Sequence, residues 1–314
     1  MITMTQIEYI LAVDRLRHFG RAAEACNVSQ PSLSAQIQKA EDLIEFPIFD
    51  RSKKPIKVTD QGQRFIDQAK QVLTEHKKLI QLSENTTEPT GQFKLGVIPT
   101  LSSYVIPLFI ESFSKRYPKV KLRINEHKTE DIVQLLRDDQ LDAGLLVTPL
   151  NEPKVAERRL FLEPFYAFVS NDHPLFSRKR IKETDLDENS VWLLDEGHCF
   201  RDQVIRVCSL TNRHPVLENV QFESGSLQTL VHLIRRGRGY TLLPYLATQD
   251  LTSKERQTNL KPFQKPVPTR EVSLVFSRSV LKTRIIDALE DEILKNLPKS
   301  LKDINESGSE IIDI

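Results

Sequence analysis

The sequence predicts an α/β protein with a small helical N-terminal domain, a long connecting helix and a larger C-terminal part of alternating strands and helices. Three observations carry this prediction. The 314 residues exceed the length of one typical domain. The first sixty residues contain two short helix patterns joined by a tight turn. From residue 92 onward, strand-like and helix-like segments alternate.

The composition excludes several classes of protein. Hydrophobic residues make up 39% of the chain and charged residues 28%, which is ordinary for a globular protein. The net charge of +1 gives no overall sign of a nucleic-acid partner, so such evidence must be local. No apolar run approaches the ~20 residues of a membrane span, and three cysteines do not make a disulfide scaffold. We therefore expect no membrane partner and a cytoplasmic location, where a disulfide is transient and functional.

Two short helices and a tight turn are predicted for residues 21–44, "RAAEACNVSQPSLSAQIQKAEDLI". The first helix should end near Cys26, Ser29 is a candidate N-cap, and Pro31 is tolerated in a first helical turn. Four apolar residues then recur at helical spacing and form one stripe: Leu33, Ile37, Ala40 and Ile44. This is the helix-turn-helix pattern.

The outward face of the second helix carries small or amide-bearing side chains, which can hydrogen-bond to base edges and phosphates: Gln30, Ser32, Ser34, Gln36 and Gln38. The segment "FDRSKKPIKVT" (49–59) follows, and a basic β-hairpin here would lie along the DNA backbone as a wing. The alternative is a small helical domain with a solvated basic loop, because residues 1–90 hold twelve Lys+Arg and twelve Asp+Glu.

The same stretch, "AAEACNVSQPSLSAQIQKAEDLI" followed by "FDR", closely resembles the winged helix-turn-helix of LysR-type transcriptional regulators, from about residue 4 to residue 62. The resemblance implies double-stranded DNA as a partner. The residues that it assigns to DNA are Gln30, Pro31 and Ser34 at the groove and Arg51 with Lys53 on the wing. Glu45 stands where the family usually has a glycine after the second helix.

One long helix is predicted for residues 60–84, with apolar residues at alternating spacings of four and three. Such a seam indicates a dimer, and two DNA-reading helices held by one dimer imply a two-fold DNA site. The alternative is a helix packed on its own domain. We assign residues 1–59 to the DNA-binding domain and residues 60–91 to the dimerisation helix and hinge.

In the C-terminal part, strand-like and helix-like segments alternate. Strand-like segments are 93–98, 120–127, 141–147, 163–170, 240–247 and 270–277, and helix-like segments are 102–117, 130–139 and 281–296. Alternation of this kind predicts parallel βαβ units with ligands at the carboxyl ends of the strands. It also resembles the two-lobed, periplasmic-binding-protein-like effector domain of the LysR family. That resemblance assigns residues 92–161 and 268–297 to lobe I and residues 162–267 to lobe II, and we expect residues 298–314 to be a mobile tail.

Thr100 lies just after a strand and before a helix. A hydroxyl and free N–H groups in that position can bind a polar ligand in the cleft between the lobes, and the alternative is a helix N-cap.

Cys199 and Cys208 lie in "GHCFRDQVIRVC" (197–208), and three interpretations are open. The first is a zinc site, but this segment has too few ligands at short spacing, so we expect no metal. Two buried structural cysteines are the plain interpretation. The third is redox chemistry, since Cys199 should lie at a helix N-terminus, where the helix dipole favours a thiolate. If 199–208 is helical, the two Cα atoms are roughly 13 to 14 Å apart, beyond the ~7 Å that a disulfide allows.

The stretch "LLDEGHCFRDQ", with a second cysteine at position 208, is similar to the peroxide-sensing members of the LysR family. This similarity implies that Cys199 attacks hydrogen peroxide to form a sulfenic acid and that Cys208 resolves it to a disulfide. The residues that it implies around the peroxide are Thr100, Thr129, His198, Asp202 and Arg270.

These resemblances imply a homo-oligomeric regulator without a cofactor, dimeric through the linker helix and tetrameric by family analogy. It would bind DNA in both redox states, with RNA polymerase as a possible partner. Two alternatives remain. One is a LysR-type regulator of a small metabolite, with structural cysteines. The other is a thiol peroxidase or oxidoreductase, against which the helix-turn-helix and the lack of a CxxC motif argue.

Overall fold

The computed structural model describes residues 1–82, 88–209, 216, 222, 224–277, 282–304 and 307–313. The chain divides into two compact units, Met1–Asn85 and Thr86–Ile314. Residues 83–87, which include the start of the predicted hinge, and most of the segment between Cys208 and residue 224 lie outside the described residues.

The N-terminal unit is helical with one small hairpin. Its elements are α1 (Met4–Leu16), α2 (Phe19–Ala25), α3 (Gln30–Ile44), β1 (Phe49–Asp50), β2 (Lys57–Val58) and α4 (Asp60–Leu82). The strands β1 and β2 pair antiparallel, so the hairpin predicted as a wing forms.

Helix α3 begins and ends as local chemistry dictates. The Ser29 hydroxyl accepts a hydrogen bond from the Ser32 N–H, and a proline occupies the first turn. Leu33, Ile37 and Ala40 are fully buried in the core of this unit, which confirms the apolar stripe. Glu45 ends the helix in the left-handed region, at φ 63°.

The second unit is a mixed α/β domain. Its strands are β3 (Gly91–Val97), β4 (Val120–Glu126), β5 (Ala143–Thr148), β6 (Val155–Val169), β7 (Tyr240–Pro244), β8 (Leu260–Pro262), β9 (Val267–Ser277) and β10 (Ser309–Ile311). Its helices are α5 (Pro99–Arg116), α6 (Thr129–Arg137), α7 (Cys199–Val207), α8 (Leu227–Arg236), α9 (Ser253–Thr258), α10 (Thr283–Asn296) and α11 (Lys299–Lys302).

Among the described residues, the main strand order is β4-β3-β5-β9-β6-β7. The pairs of β3 with β4 and with β5 are parallel, as the βαβ pattern predicts. The pairs β5–β9, β9–β6 and β6–β7 are antiparallel, so the expectation of parallel pairing fails there. Strand β6 starts at Val155 rather than at residue 163, because charged residues on its first half hide the apolar pattern of a strand.

Two hydrophobic cores lie along the paired strands β6 and β9. The first is built on β3, β5, α5, α6 and α10, and it includes Phe93, Phe109 and Leu289. The second is built on β7, α7 and α8, and it includes Phe165, Phe200 and Tyr240. This two-core arrangement agrees with the predicted two-lobed effector fold.

The C-terminal segment is packed, so the prediction of a mobile tail at 298–314 is wrong for its described residues. Strand β10 pairs in parallel with β9, and the Ile312 N–H donates to the Thr269 carbonyl at 2.9 Å. Leu301 and Ile312 are buried in the two cores. These apolar residues are too sparse to form a periodic pattern, but a free edge of β9 gives the segment a partner.

Candidate redox site

A glycine turn leads into α7 and sets Cys199 at the first residue of that helix. Gly197 has φ 84°, and a Cβ added there would lie 2.6 Å from Lys128 Nζ. His198 is the N-cap with an extended backbone, and Cys199 follows as the first helical residue. The first-turn N–H groups of a helix have no partner within the helix, and they favour negative charge nearby.

Cys199 is a free cysteine, partly accessible to solvent and packed against the first core. Burial raises the pKa of its thiol. Three groups oppose that rise and lower the pKa: the Thr129 hydroxyl, the positive charge of Arg270 and the Phe200 N–H. Asp202 acts in the same direction as burial, because a negative charge disfavours the thiolate.

A fully buried ion pair lies beside this thiol. Arg270 and Glu163 are both 0% exposed, and their side chains are joined through Nε at 2.8 Å and Nη2 at 2.7 Å. They face each other across β9 and β6. The second oxygen of Glu163 accepts a hydrogen bond from the Leu246 N–H at 2.7 Å. The guanidinium also lies over the Phe200 ring, 5.5 Å from its centroid, so its position is fixed on several sides.

Two threonine hydroxyls complete the cluster. Thr100 lies in the first turn of α5, and its hydroxyl accepts a hydrogen bond from Arg270 at 3.1 Å. The N-cap of α5 is Ile98, so the alternative interpretation of Thr100 as an N-cap is wrong. The buried Thr129 hydroxyl makes no full hydrogen bond within the part of the chain that the structure describes. It is therefore a donor available to a small polar molecule at the thiol.

The other two predicted pocket residues differ in their placement. The His198 ring is 7% exposed, and its Nε2 lies 2.9 Å from Asp195 Oδ1. Burial lowers the pKa of His198, so the ring is neutral at pH 7. Asp202 is exposed to solvent on the first turn of α7. It influences Cys199 through its charge rather than as a buried part of the cluster.

Cys208 ends α7 in different surroundings. It is 7% exposed, free and packed in the second core. The Tyr240 hydroxyl donates a hydrogen bond to its sulfur at 3.6 Å. Burial raises the pKa of the Cys208 thiol to about 12. The thiol is therefore neutral and unreactive while it stays in this core.

The predicted helix between the two cysteines is confirmed, because α7 runs from Cys199 to Val207 and Cys208 is its C-cap. An intact helix of this length separates the two Cα atoms by roughly 13 to 14 Å. A disulfide between them requires α7 to unwind.

The predicted DNA-contact residues of the N-terminal unit are accessible with few exceptions. Gln30, Pro31 and Ser32 are exposed at the start of α3, and Ser34 is half-buried. Lys53 is exposed in the turn of the hairpin. The exposed Arg51 side chain donates to Glu41 at 2.6 Å and to Ser34 at 3.4 Å, so the wing is tied to α3.

Sequence reasoning missed two residues of the site. Glu163 holds Arg270, and its signal was a lone acid inside the apolar run "FLEPFYAF", since a charge in a buried strand needs a partner. Tyr240 holds Cys208, and no local pattern indicates that contact, because the two residues are 32 positions apart.

Among the described residues, no group of three His, Cys, Asp or Glu side chains could hold a metal ion. No described helix is both long enough and apolar enough to cross a bilayer.

A winged helix-turn-helix and a two-lobed α/β domain in one chain define a class of bacterial transcriptional regulators. The family model "Bacterial regulatory helix-turn-helix protein, lysR family" matches residues 4–63, and the model "LysR substrate binding domain" matches residues 86–298. The chain belongs to the LysR family of transcriptional regulators and is not an enzyme. The resemblance seen in the sequence is confirmed.

Two relatives with known names match most of the chain. The chain is 33% identical over 276 residues to the "Hydrogen peroxide-inducible genes activator" of Dickeya chrysanthemi, which spans 88% of this chain and 89% of the relative. The "DNA-binding transcriptional dual regulator OxyR" of Escherichia coli matches with the same identity, 33% over 276 residues, and the same two shares, 88% and 89%.

Solved structures agree in fold. A full-length OxyR of Pseudomonas aeruginosa with a cysteine-to-aspartate substitution has a TM-score of 0.77 and 34% identity, over 95% of this chain and 99% of that chain. A mutant OxyR of Corynebacterium glutamicum with hydrogen peroxide bound has a TM-score of 0.60 and 25% identity, over 94% of this chain and 92% of that chain.

Proposed function

We propose that this chain is a cytoplasmic, peroxide-sensing transcriptional regulator in which oxidation of Cys199 changes the state of the protein on DNA. The single observation that carries the proposal is the surroundings of Cys199. Its thiol lies at a helix N-terminus, near a buried guanidinium and beside the Thr129 hydroxyl, which lowers the pKa of the thiol. Relatives that match 88% of the chain are named for hydrogen peroxide, which supports this assignment.

The first chemical step is an attack of the Cys199 sulfur, as thiolate, on one oxygen of hydrogen peroxide. The O–O bond breaks, an S–O bond forms, and the departing hydroxide takes the proton that the thiol released. The products are Cys199 sulfenic acid and water. Thr129 would donate to the peroxide, and Arg270 would stabilise negative charge on sulfur and on the departing oxygen. Thr100, through its hydrogen bond with Arg270, and neutral His198 complete the proposed pocket, with Asp202 at its rim.

The second step is resolution by Cys208. Its sulfur attacks the sulfenic sulfur, an S–S bond forms, and the hydroxyl leaves with the Cys208 proton as water. The length of α7 requires that the helix unwind first, so the disulfide selects a different local structure from the thiol form. This two-state segment is the proposed switch.

On DNA, residues 1–59 would read a two-fold duplex site through Gln30, Pro31, Ser32 and Ser34, while Arg51 and Lys53 contact phosphates. Residues 60–91 would form the dimer. Two dimers would then associate through their effector lobes, lobe I (92–161 and 268–297) and lobe II (162–267), to give a tetramer. Oxidation would rearrange these subunits, and RNA polymerase is the proposed downstream partner.

The test follows the thiols directly. The reduced chain is treated with stoichiometric hydrogen peroxide, alkylated and analysed by mass spectrometry. We expect rapid loss of the Cys199 and Cys208 thiols with Cys26 unchanged. Cys199→Ser should abolish the reaction and the peroxide-dependent change on DNA while leaving binding to a selected two-fold duplex intact. Cys208→Ser is the matched control, and it should stop at the sulfenic acid. Peroxide-dependent regulation that persists in Cys199→Ser would falsify the proposal.

A further inference from the structure

Tyr240 is tied to the resolving cysteine and to the rigid part of the second lobe. Its hydroxyl donates a hydrogen bond of 3.6 Å to Cys208 Sγ, and its side chain is fully buried. Its backbone pairs with Val169 and accepts the Trp192 N–H at 2.7 Å. Its ring meets the His173 ring edge-on, 5.4 Å between centroids. Tyr240 is therefore held by strand β7 and cannot follow Cys208 out of the core.

We propose that Tyr240 is a positioning residue that stores the Cys208 thiol in the core and so limits how fast the resolving step follows oxidation of Cys199. This inference rests on the proposed function. It assigns a rate-setting role to a side chain outside the Cys199 cluster.

Two physical effects act in the same direction. The hydrogen bond stabilises the packed position of Cys208, and it is lost when the sulfur leaves. Departure of the sulfur also leaves the Tyr240 hydroxyl buried without the one partner that it has among the described residues. A buried hydroxyl without a partner is unfavourable, so the released state is penalised as well.

The effect is confined to the interval between two chemical steps. Formation of the Cys199 sulfenic acid takes place within the Cys199 cluster, whereas the side chain of Tyr240 contacts Cys208 and His173. Disulfide formation requires Cys208 to leave Tyr240 before its sulfur can attack the sulfenic sulfur and release water. A longer interval leaves the sulfenic acid exposed to other thiols or to further oxidation.

Tyr240→Phe tests this inference, since phenylalanine keeps the ring and removes only the hydroxyl. The matched control is Tyr166→Phe, because Tyr166 is a half-buried tyrosine on the neighbouring strand β6 that packs against Tyr245. Neither substitution changes a residue of the Cys199 cluster.

The first measurement is independent of peroxide. In the reduced Cys199→Ser chain, the alkylation rate of Cys208, followed by mass spectrometry, reports how often its sulfur leaves the core. We expect Tyr240→Phe to raise this rate about twofold to tenfold, the change that loss of one net hydrogen bond produces. Tyr166→Phe should leave the rate unchanged.

The second measurement uses the chain with both cysteines. After a stoichiometric pulse of peroxide, sulfenic acid formation should keep its wild-type rate in Tyr240→Phe, and disulfide formation should accelerate about twofold to tenfold. The disulfide should also become harder to reduce, with a midpoint potential lower by up to about 30 mV, the equivalent of a tenfold change.

The outcomes separate the two proposals. Unchanged or slower Cys208 alkylation in Tyr240→Phe overturns the role of Tyr240, whatever happens with peroxide. Faster Cys208 alkylation, together with a Cys199 that does not react with peroxide, overturns the proposed function. The role of Tyr240 in holding Cys208 in the core would then stand by itself. A wild-type rate of disulfide formation, in a variant whose alkylation is faster, overturns the claim that release limits resolution.

Discussion

The first residue of α7 and its C-cap residue are both cysteines, and their surroundings differ in solvent access and in the polar groups nearby. Cys199 is partly accessible and lies near a hydroxyl, a backbone N–H and a buried guanidinium, all of which lower its pKa against the effect of burial. Cys208 is enclosed in the second core beside one tyrosine, and its pKa is raised to about 12. Burial thus raises the pKa of both thiols, but three groups oppose that rise at Cys199 and only the Tyr240 hydroxyl opposes it at Cys208.

The comparison also separates two kinds of packing. The Cys199 end is held by polar contacts between β6 and β9, two paired strands far apart in the sequence, whereas the Cys208 end is held mainly by apolar burial. A buried polar cluster loses much of its stability when one member is removed, since the remaining charge stays buried without a partner. Apolar cores lose stability more gradually. The predictions below test this difference, beginning with the largest effect.

Arg270→Met should have the largest effect, because it leaves Glu163 charged and fully buried without its partner. We expect the free energy of unfolding of the second unit to fall by ~3–5 kcal/mol. Urea denaturation of the full chain, with a probe in that unit, measures the change. The double variant Glu163→Leu/Arg270→Met removes both charges and should recover much of the loss. Equal losses in the single and double variants would contradict the role of an uncompensated charge.

The second-largest effect should be the difference in alkylation rate between Cys199 and Cys208 at pH 8. Only about one Cys208 thiol in ten thousand is ionised at that pH when its pKa is about 12. Cys199 is the more accessible of the two thiols, and three groups oppose the effect of burial on its pKa, so iodoacetamide should modify it faster than Cys208 in the reduced chain. Both rates should rise with pH, since the thiolate is the reactive form and both pKa values are raised above pH 8. Similar rates at the two residues would remove the distinction between the two ends of α7.

Thr129→Val should have the smallest effect of the three. The hydroxyl lowers the pKa of Cys199, so its loss should raise that pKa and reduce the thiolate population at neutral pH. We expect Cys199 alkylation at pH 7 to slow about threefold to tenfold, the size of one net hydrogen bond. Thr129→Ser keeps a hydroxyl and should stay near the wild-type rate. If serine and valine slow the reaction equally, the effect is one of packing rather than of hydrogen bonding.

The sequence predicts those features that local chemistry determines. Helix α3 follows from the Ser29 cap and its apolar stripe, and α7 follows from the amphipathic stretch between the two cysteines. Strand β10 and the Glu163–Arg270 pair could not be predicted in this way. Their partners are far apart in the chain, 107 positions for the ion pair, and only the folded sheet brings them together.

Cys199 and Thr100 stand out from the sequence alone, whereas Thr129 and Arg270 are assigned to the cluster only by the family resemblance. Arg270 by itself reads as a solvated charge at a strand end, and its full burial becomes visible only with Glu163 opposite. Tyr240 carries no signal in the sequence, because a tyrosine in an apolar strand is ordinary. Contacts between side chains on different elements are thus the part of the site that requires a structure.

The complete burial of the Glu163–Arg270 pair affects how the chemistry at Cys199 should depend on ionic strength. Dissolved ions screen exposed charges within about 10 Å at 0.1 M salt but act far less on charges that water does not reach. The proposed oxidation of Cys199 should therefore proceed at nearly the same rate in dilute and concentrated salt. The proposed binding of duplex DNA through exposed Arg51 and Lys53 should weaken over the same range, as counterions return to the phosphates. Concentrated salt would then leave a chain that still reacts with peroxide after it has dissociated from DNA.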